Sequence, residues 1–283
     1  MSRVHDALRR AERMGNSLGV DGRVNAPLDG RPASAVFETP SFGPAVLEQI
    51  KEIPFQPMAD AHLIDANQPQ SSPSEEFRSL RTRLNHIQNL QPVHTVVVTS
   101  PSPAEGKSFS AINLALAESH LADNLVLLAD FDLRRPVVHN ILGLDRTPGV
   151  SDYLMGQVPL ASAIRRFAGT NLFVMPAGTQ VKNPLELLNL QEAKLLFEQL
   201  PTLFNWVILD TPPLLFSADA SHLSSMADGT LLVVRMGSTT IDSVTRAIQS
   251  LCENNLLGVV VNGARASELY SKYTYYYSKS ESE

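Results

Sequence analysis

The chain has 283 residues, 43% of them hydrophobic and 18% charged, a composition that suits a soluble protein with one large α/β domain plus extensions, or two small domains. A formal net charge of −6 argues against a surface that coats nucleic acid, and a single cysteine leaves no disulfide and no cysteine-based metal or cluster site. The N-terminus, Met1-Ser2-Arg3-Val4-His5-Asp6, is charged at once, and no apolar run reaches the ~20 residues that a membrane-spanning helix needs. The expectation is a cytoplasmic protein whose membrane role, if it has one, passes through a partner.

Residues 1–14 read as a short helix, with Val4, Leu8 and Ala11 spaced for one face. Residues 15–72 lose that period; eight prolines from Pro27 to Pro73 punctuate the stretch, which reads as a largely extended linker with a brief helix around 45–53. From residue 73 the texture changes. A helix with a Ser74 cap is expected over 74–89, a β-branched strand over 93–99 and a helix over 107–121. Further strands are expected at 125–130, 172–175, 206–210, 230–235 and 257–261, with helices at 184–199, 218–226 and 239–254 between them. Short, wholly apolar strands alternating with helices predict a three-layer α/β/α fold around a mostly parallel sheet, spanning 73–265. Ligands of such sheets bind beyond the carboxyl ends of the strands.

The chemistry-bearing motifs fall at those ends. The first strand of the domain runs into Ser102-Pro103-Ala104-Glu105-Gly106-Lys107-Ser108-Phe109, and a helix follows. That context fits a phosphate-binding loop: backbone N–H groups and the helix N-terminus cradle phosphate, Lys107 reaches the β/γ oxygens and Ser108 ligates Mg²⁺. The G-x-x-x-x-G-K-S/T pattern has Pro101 where its first glycine belongs, and Ala104 where a second is often found. The next strand ends in Asp130-Phe131-Asp132-Leu133-Arg134, two carboxylates leaving an apolar strand together, which calls for a cation or a polyphosphate. The fourth ends in Asp210-Thr211-Pro212-Pro213, the Walker B arrangement, with Asp210 set to hold a Mg²⁺-bound water. Together these point to a phosphotransferase or ATPase that uses ATP and Mg²⁺, with Ser108, Asp132 and Asp210 as the metal set.

The h-h-h-D-x-D-x-R pattern between the Walker motifs resembles the Walker A′ motif of the bacterial tyrosine kinase (BY-kinase) family, of the MinD/ParA-like P-loop superfamily. The resemblance covers about 71–283 and includes Ser217-Ala218-Asp219 and Gly258-Val259-Val260-Val261-Asn262. Glu75, Arg78 and Arg81 fit the E-x-x-R-x-x-R motif through which that family assembles into rings; such spacing shares one helix face. The tail at 266–283 holds Tyr270, Tyr273, Tyr275, Tyr276 and Tyr277, five of the six tyrosines of the chain.

The resemblance implies a tyrosine autokinase whose tail is phosphorylated in trans by a neighbouring subunit. Lys107, Asp130, Asp132 and Asp210 would be its catalytic set, and Arg134 and Asn262 would flank the nucleotide. It implies Asp130 as the base, although spacing leaves open which carboxylate of the D-x-D pair is base and which binds metal. It further implies a role in exopolysaccharide polymerisation and export, an activator that is a separate membrane-anchored polysaccharide chain-length or export protein, and no nucleic-acid partner. MinD/ParA-type relatives carry a signature lysine five residues before the P-loop lysine, where this chain has Ser102. A MinD/ParA-like positioning or assembly switch, or a weakly active nucleotide-binding scaffold, stands as the alternative.

Overall fold

A strand that is apolar at every position can be stable only between two covering layers. The computed structural model, which describes residues 43, 45–58, 61–64, 73–251 and 255–264, builds that arrangement. All of these residues fall in the unit Phe42–Glu283. The expected helix at 1–14 and the tyrosine tail at 266–283 lie outside the described residues.

In chain order the elements are α1 (Ala45–Glu48), β1 (Lys51–Ile53), α2 (Ser74–Leu90), β2 (Thr95–Thr99), α3 (Lys107–Ser119), β3 (Val126–Asp130), α4 (Val138–Leu142), α5 (Val150–Leu154) and α6 (Leu160–Ala163). They continue with β4 (Arg165–Phe167), β5 (Leu172–Met175), α7 (Pro184–Leu188), α8 (Gln191–Leu203), β6 (Trp206–Asp210), α9 (Ala218–Met226), β7 (Gly229–Arg235), α10 (Ile241–Gln249) and β8 (Leu256–Asn262). The sheet runs β1-β4-β5-β3-β6-β2-β7-β8 and is parallel except where β4 meets β5.

Successive side chains of a strand face opposite ways, so each central strand feeds two cores. Val96, Val98, Leu128, Trp206 and Ile208 pack with Phe77 and Leu84 of α2 and Ile112 of α3. Val97, Leu127, Val207 and Leu209 pack on the other face with Leu196 and Phe197 of α8. The layered α/β/α expectation therefore holds, because each fully buried strand leaves apolar side chains on both faces.

Four local readings change. The stretch expected to be an extended linker contributes β1, which pairs with β4 at Lys51↔Arg165 and extends the sheet at one edge. Ile50 and Ile64 are buried, and the Ile64 amide donates to Asn113 Oδ1 at 2.7 Å, so 45–64 belongs with the domain that was expected to start at 73. Three-residue strands such as β1 and β4 carry too little pattern to be seen without their partners. Pro73, not Ser74, occupies the cap of α2, and Ser74 is a buried first-turn residue. The single helix expected over 184–199 is two, because Asn189 Nδ2 bonds back to the Leu185 carbonyl and Leu190 is extended. The helix expected over 239–254 is α10, capped by Thr240, whose hydroxyl accepts from the Ser243 amide at 3.2 Å.

A polar chain is buried beneath α2. Trp206 Nε1 donates to Asn85 Oδ1 at 3.1 Å, and Asn85 and Asn124 each donate to Glu118 Oε2 at 3.1 Å. Burial pushes the Glu118 carboxyl from 4.5 up to about 7, against the pull of Asn85, Arg81 and Asn124. The native state thus binds a proton that the unfolded chain has already lost, so this group's contribution is full below about pH 4.5 and is lost as pH rises through about 7. Urea denaturation at pH 5 and pH 8 should show Glu118→Gln gaining roughly 2–3 kcal/mol relative to wild type across that interval. Parallel pH profiles for the two proteins would mean that Glu118 does not titrate there.

Candidate active site

Register brings the motifs together. β6 lies between β3 and β2, with Asp210 opposite Asp130 on one side and opposite Val98 on the other. All three strands point the same way, so the P-loop leaving β2 and the two acidic strand ends open at one end of the sheet.

The loop is held from outside. Gly106 caps α3 in the left-handed region (φ 96°), and a Cβ there would lie 1.8 Å from Asn262 Nδ2. The positive φ favours glycine, and a Cβ there would also push the Asn262 amide off the loop. Ala104 is also left-handed, at φ 64°, so the loop keeps a glycine-like conformation without the glycine, at a cost of about 1–2 kcal/mol. Glu105 turns inward as a brace: its carboxylate accepts from the Ser102 amide at 2.9 Å and from Thr239 Oγ1 at 2.6 Å. Asn262 Nδ2 donates to the Glu105 carbonyl at 3.0 Å, and Arg235 Nη1 to the Ala104 carbonyl at 3.2 Å. Of the expected nucleotide residues, Glu105 therefore offers its backbone, and Asn262 bonds the loop itself. Phe109 packs edge-on to Phe77 of α2, with ring centroids 5.9 Å apart.

Within the loop, Lys107 Nζ donates to Asp132 Oδ2 at 2.8 Å and stands 3.6 Å from Asp210 Oδ1 and 3.3 Å from Ser108 Oγ. Burial opposes its charge, but Asp210 and Asp132 outweigh that and raise its pKa. Asp210 is wholly buried, and neither carboxylate oxygen meets full hydrogen-bond geometry; Lys107 at 3.6 Å and the Ser108 hydroxyl are the groups that face it. Burial raises its pKa despite Lys107.

Asp130 and Asp132 part company. Asp130 is also wholly buried, and its two oxygens accept the amides of Asp132 and Val138 at 3.1 and 3.2 Å. Burial and the Asp210 charge raise its pKa well above the carboxylate range. It fixes the turn after β3. Asp132, in contrast, lines a cleft of about 580 Å³ together with Pro103, Ala104, Lys107 and Ser108. Asp132 is buried as well and accepts the Arg135 amide at 3.0 Å, so spacing could not separate the two carboxylates; the turn decides which of them borders the cleft.

Arg134 also lines the cleft, gripped in bidentate fashion by Asp219 at 2.7 and 3.2 Å. That pair ties the D-x-D loop to the start of α9. Asp219 entered the sequence reading only within Ser217-Ala218-Asp219, without a role, and Thr239 was not singled out; Ser217, whose hydroxyl accepts the Asp219 amide, marks only a helix cap. On α2, Glu75 and Arg78 are exposed and 3.7 Å apart, whereas Arg81 Nη1 donates to the Ala117 carbonyl at 2.8 Å. Arg81 thus fastens α2 to the end of α3 within the chain.

The residues fit MgATP. Asp210 is a buried carboxylate short of full hydrogen bonding, beneath a lysine and a hydroxyl at a helix N-terminus, where a hydrated cation and phosphate would satisfy it. Among the described residues no group of three or more His, Cys, Asp or Glu is placed to hold a metal alone. Mg²⁺ itself binds with few protein ligands, keeping waters and sharing substrate phosphates with one or two carboxylates.

No family model matches the chain. Tyrosine-protein kinase YwqD of Bacillus subtilis (strain 168) is 35% identical over 220 residues, 77% of this chain and 92% of that protein. Tyrosine-protein kinase Etk of Escherichia coli (strain K12) is 34% identical over 225 residues, 78% of this chain, which spans only 30% of Etk. The solved kinase domain of E. coli Etk superposes with a TM-score of 0.65 at 30% identity, covering 77% of this chain and 90% of that domain. MinD of Pyrococcus horikoshii OT3, solved with Mg-ADP, matches at TM-score 0.51 and 19% identity, which marks a common fold.

Proposed function

We propose that this chain, which belongs to the bacterial tyrosine kinase family of P-loop tyrosine-protein kinases, phosphorylates its own C-terminal tyrosines in trans. The observation that carries the reading is the buried, incompletely satisfied Asp210 carboxylate, faced by Lys107 and the Ser108 hydroxyl of the P-loop.

In the proposed step the hydroxyl oxygen of Tyr270, Tyr273, Tyr275, Tyr276 or Tyr277 bonds to the γ-phosphorus of ATP. The bond from that phosphorus to the β,γ-bridging oxygen breaks, ADP leaves, and the phenolic proton passes to a carboxylate. Asp132 is the member of the D-x-D pair that lines the cleft and is the better placed acceptor, with Asp130 holding its backbone. Lys107 exchanges its bond to Asp132 for the β- and γ-phosphate oxygens, and the loop amides of Pro103–Phe109, proline apart, orient them. With Asp132 taking the proton, Ser108 and Asp210 would hold Mg²⁺, which would supply neutralisation of phosphate charge.

Each phosphate would add roughly −1.5 to −2 charges to the tail. Repulsion among several neighbouring phosphotyrosines favours subunit release, giving an assembly cycle that runs through Glu75 and Arg78. The reading extends to control of exopolysaccharide polymerisation and export with a membrane-anchored activator. Among the described residues no helix is long and apolar enough to cross a membrane.

The test is incubation with MgATP, with and without a cytoplasmic segment of a candidate activator, followed by mass mapping of the tail. Phosphotyrosine within 270–277 is the expected result. ATP hydrolysis with an unmodified tail would transfer the reading to a MinD/ParA-like switch, and no nucleotide binding at millimolar ATP would leave a scaffold.

A further inference from the structure

We infer that Phe216 forms the aromatic wall of a subsite for the acceptor tyrosine, an assignment that rests on the kinase reading above. Phe216 is 68% exposed, yet it lines the same cleft as Lys107 and Asp132. Its neighbour Leu214 is buried in the small core with Leu232 and Ala247, where Leu215 also packs. The chain here is braced on the P-loop: the Leu214 amide donates to the Ser100 carbonyl at 2.9 Å, and the Phe216 amide to the Pro213 carbonyl at 3.2 Å. A large apolar side chain is thus presented to solvent from a fixed turn, at the mouth of a cleft whose floor is charged.

Strand order decides what meets it. β2, which feeds the P-loop, has β6 and then β3 on one side and β7 and then β8 on the other. Asn262 braces the loop from the β8 side, bonding the Glu105 carbonyl. Asp132, Arg134 and Phe216 all belong to the β3 and β6 side, the side of the terminal phosphate held by Lys107. The acceptor must approach there. Pro213 and Val137 line the same cleft, so an incoming phenol meets an apolar wall with its hydroxyl toward Asp132. A tyrosine ring suits such a wall through edge-to-face or offset packing, whereas a serine or threonine hydroxyl is too short to keep that contact.

Steady-state kinetics of the full chain with MgATP and a synthetic peptide of residues 268–283 test the assignment. Phe216→Ala should raise the KM for peptide about three- to ten-fold, the loss of one aromatic pair, with kcat and the KM for ATP changed by less than about two-fold. Phe216→Tyr should restore the peptide KM. Equal melting temperatures for Phe216→Ala and wild type would show that the exposed ring does not support the fold. An unchanged peptide KM in Phe216→Ala, or a KM for ATP raised as far as that for peptide, overturns the subsite and leaves the kinase standing. Wild-type protein that binds ATP but transfers no phosphate to peptide or tail overturns the kinase reading, and this one with it.

Discussion

Lys107→Met is expected to lower phosphate transfer to tyrosine by about 10³-fold or more, because the preorganised charge facing the transferring phosphoryl group is lost. The same substitution should destabilise the nucleotide-free protein. Lys107 is the cation that stands 2.8 Å from Asp132 and 3.6 Å from Asp210, with Asp130 behind them. Its removal leaves buried carboxylates facing one another, a change that costs on the order of 3–5 kcal/mol when one partner of a buried pair is deleted. Tail phosphotyrosine measured by mass spectrometry and urea unfolding without nucleotide check the two parts. Retained transfer would remove Lys107 from the chemistry; unchanged stability would mean that the carboxylates take up protons or water instead.

Asp210→Asn should share the first effect and reverse the second. Transfer should fall by at least about 10²-fold as the buried seat for the metal-bound water loses its charge. The nucleotide-free fold should gain roughly 1–2 kcal/mol, since Asp210 is a wholly buried charge crowded by Asp130 and Asp132 and short of full hydrogen bonding, while Lys107 keeps Asp132. A site selected only for stability would not carry such a residue. Opposite stability changes with parallel activity losses would identify an electrostatic site strained for function. A destabilised Asp210→Asn protein would instead make Asp210 an ordinary structural anchor.

The P-loop and the two acidic strand ends could be read along the chain because each is a local grammar: an apolar strand, a short loop with its ligands, and a helix or turn after it. The sheet could be read for the same reason, since strands apolar at every position admit cover on both faces only. β1 and β4 could not, because three residues define no period and their pairing joins positions more than a hundred residues apart. The helix break at Leu190 turned on one side-chain amide competing for a carbonyl.

By itself, then, the sequence determined the fold class, the order of the phosphate-handling motifs and the strand ends at which they lie. Those features depend on periodicity and on residue type at fixed spacing, which are properties of neighbours along the chain. Only the tertiary structure decided that Asp132 faces the cleft and Asp130 does not, that Arg81 ties α2 to α3, that Asp219 holds Arg134, and that Phe216 is displayed beside Lys107. Each of these depends on which backbone donors and distant side chains reach a group after packing. Burial and hydrogen-bond competition among residues far apart in sequence set those outcomes, and a linear pattern does not contain them.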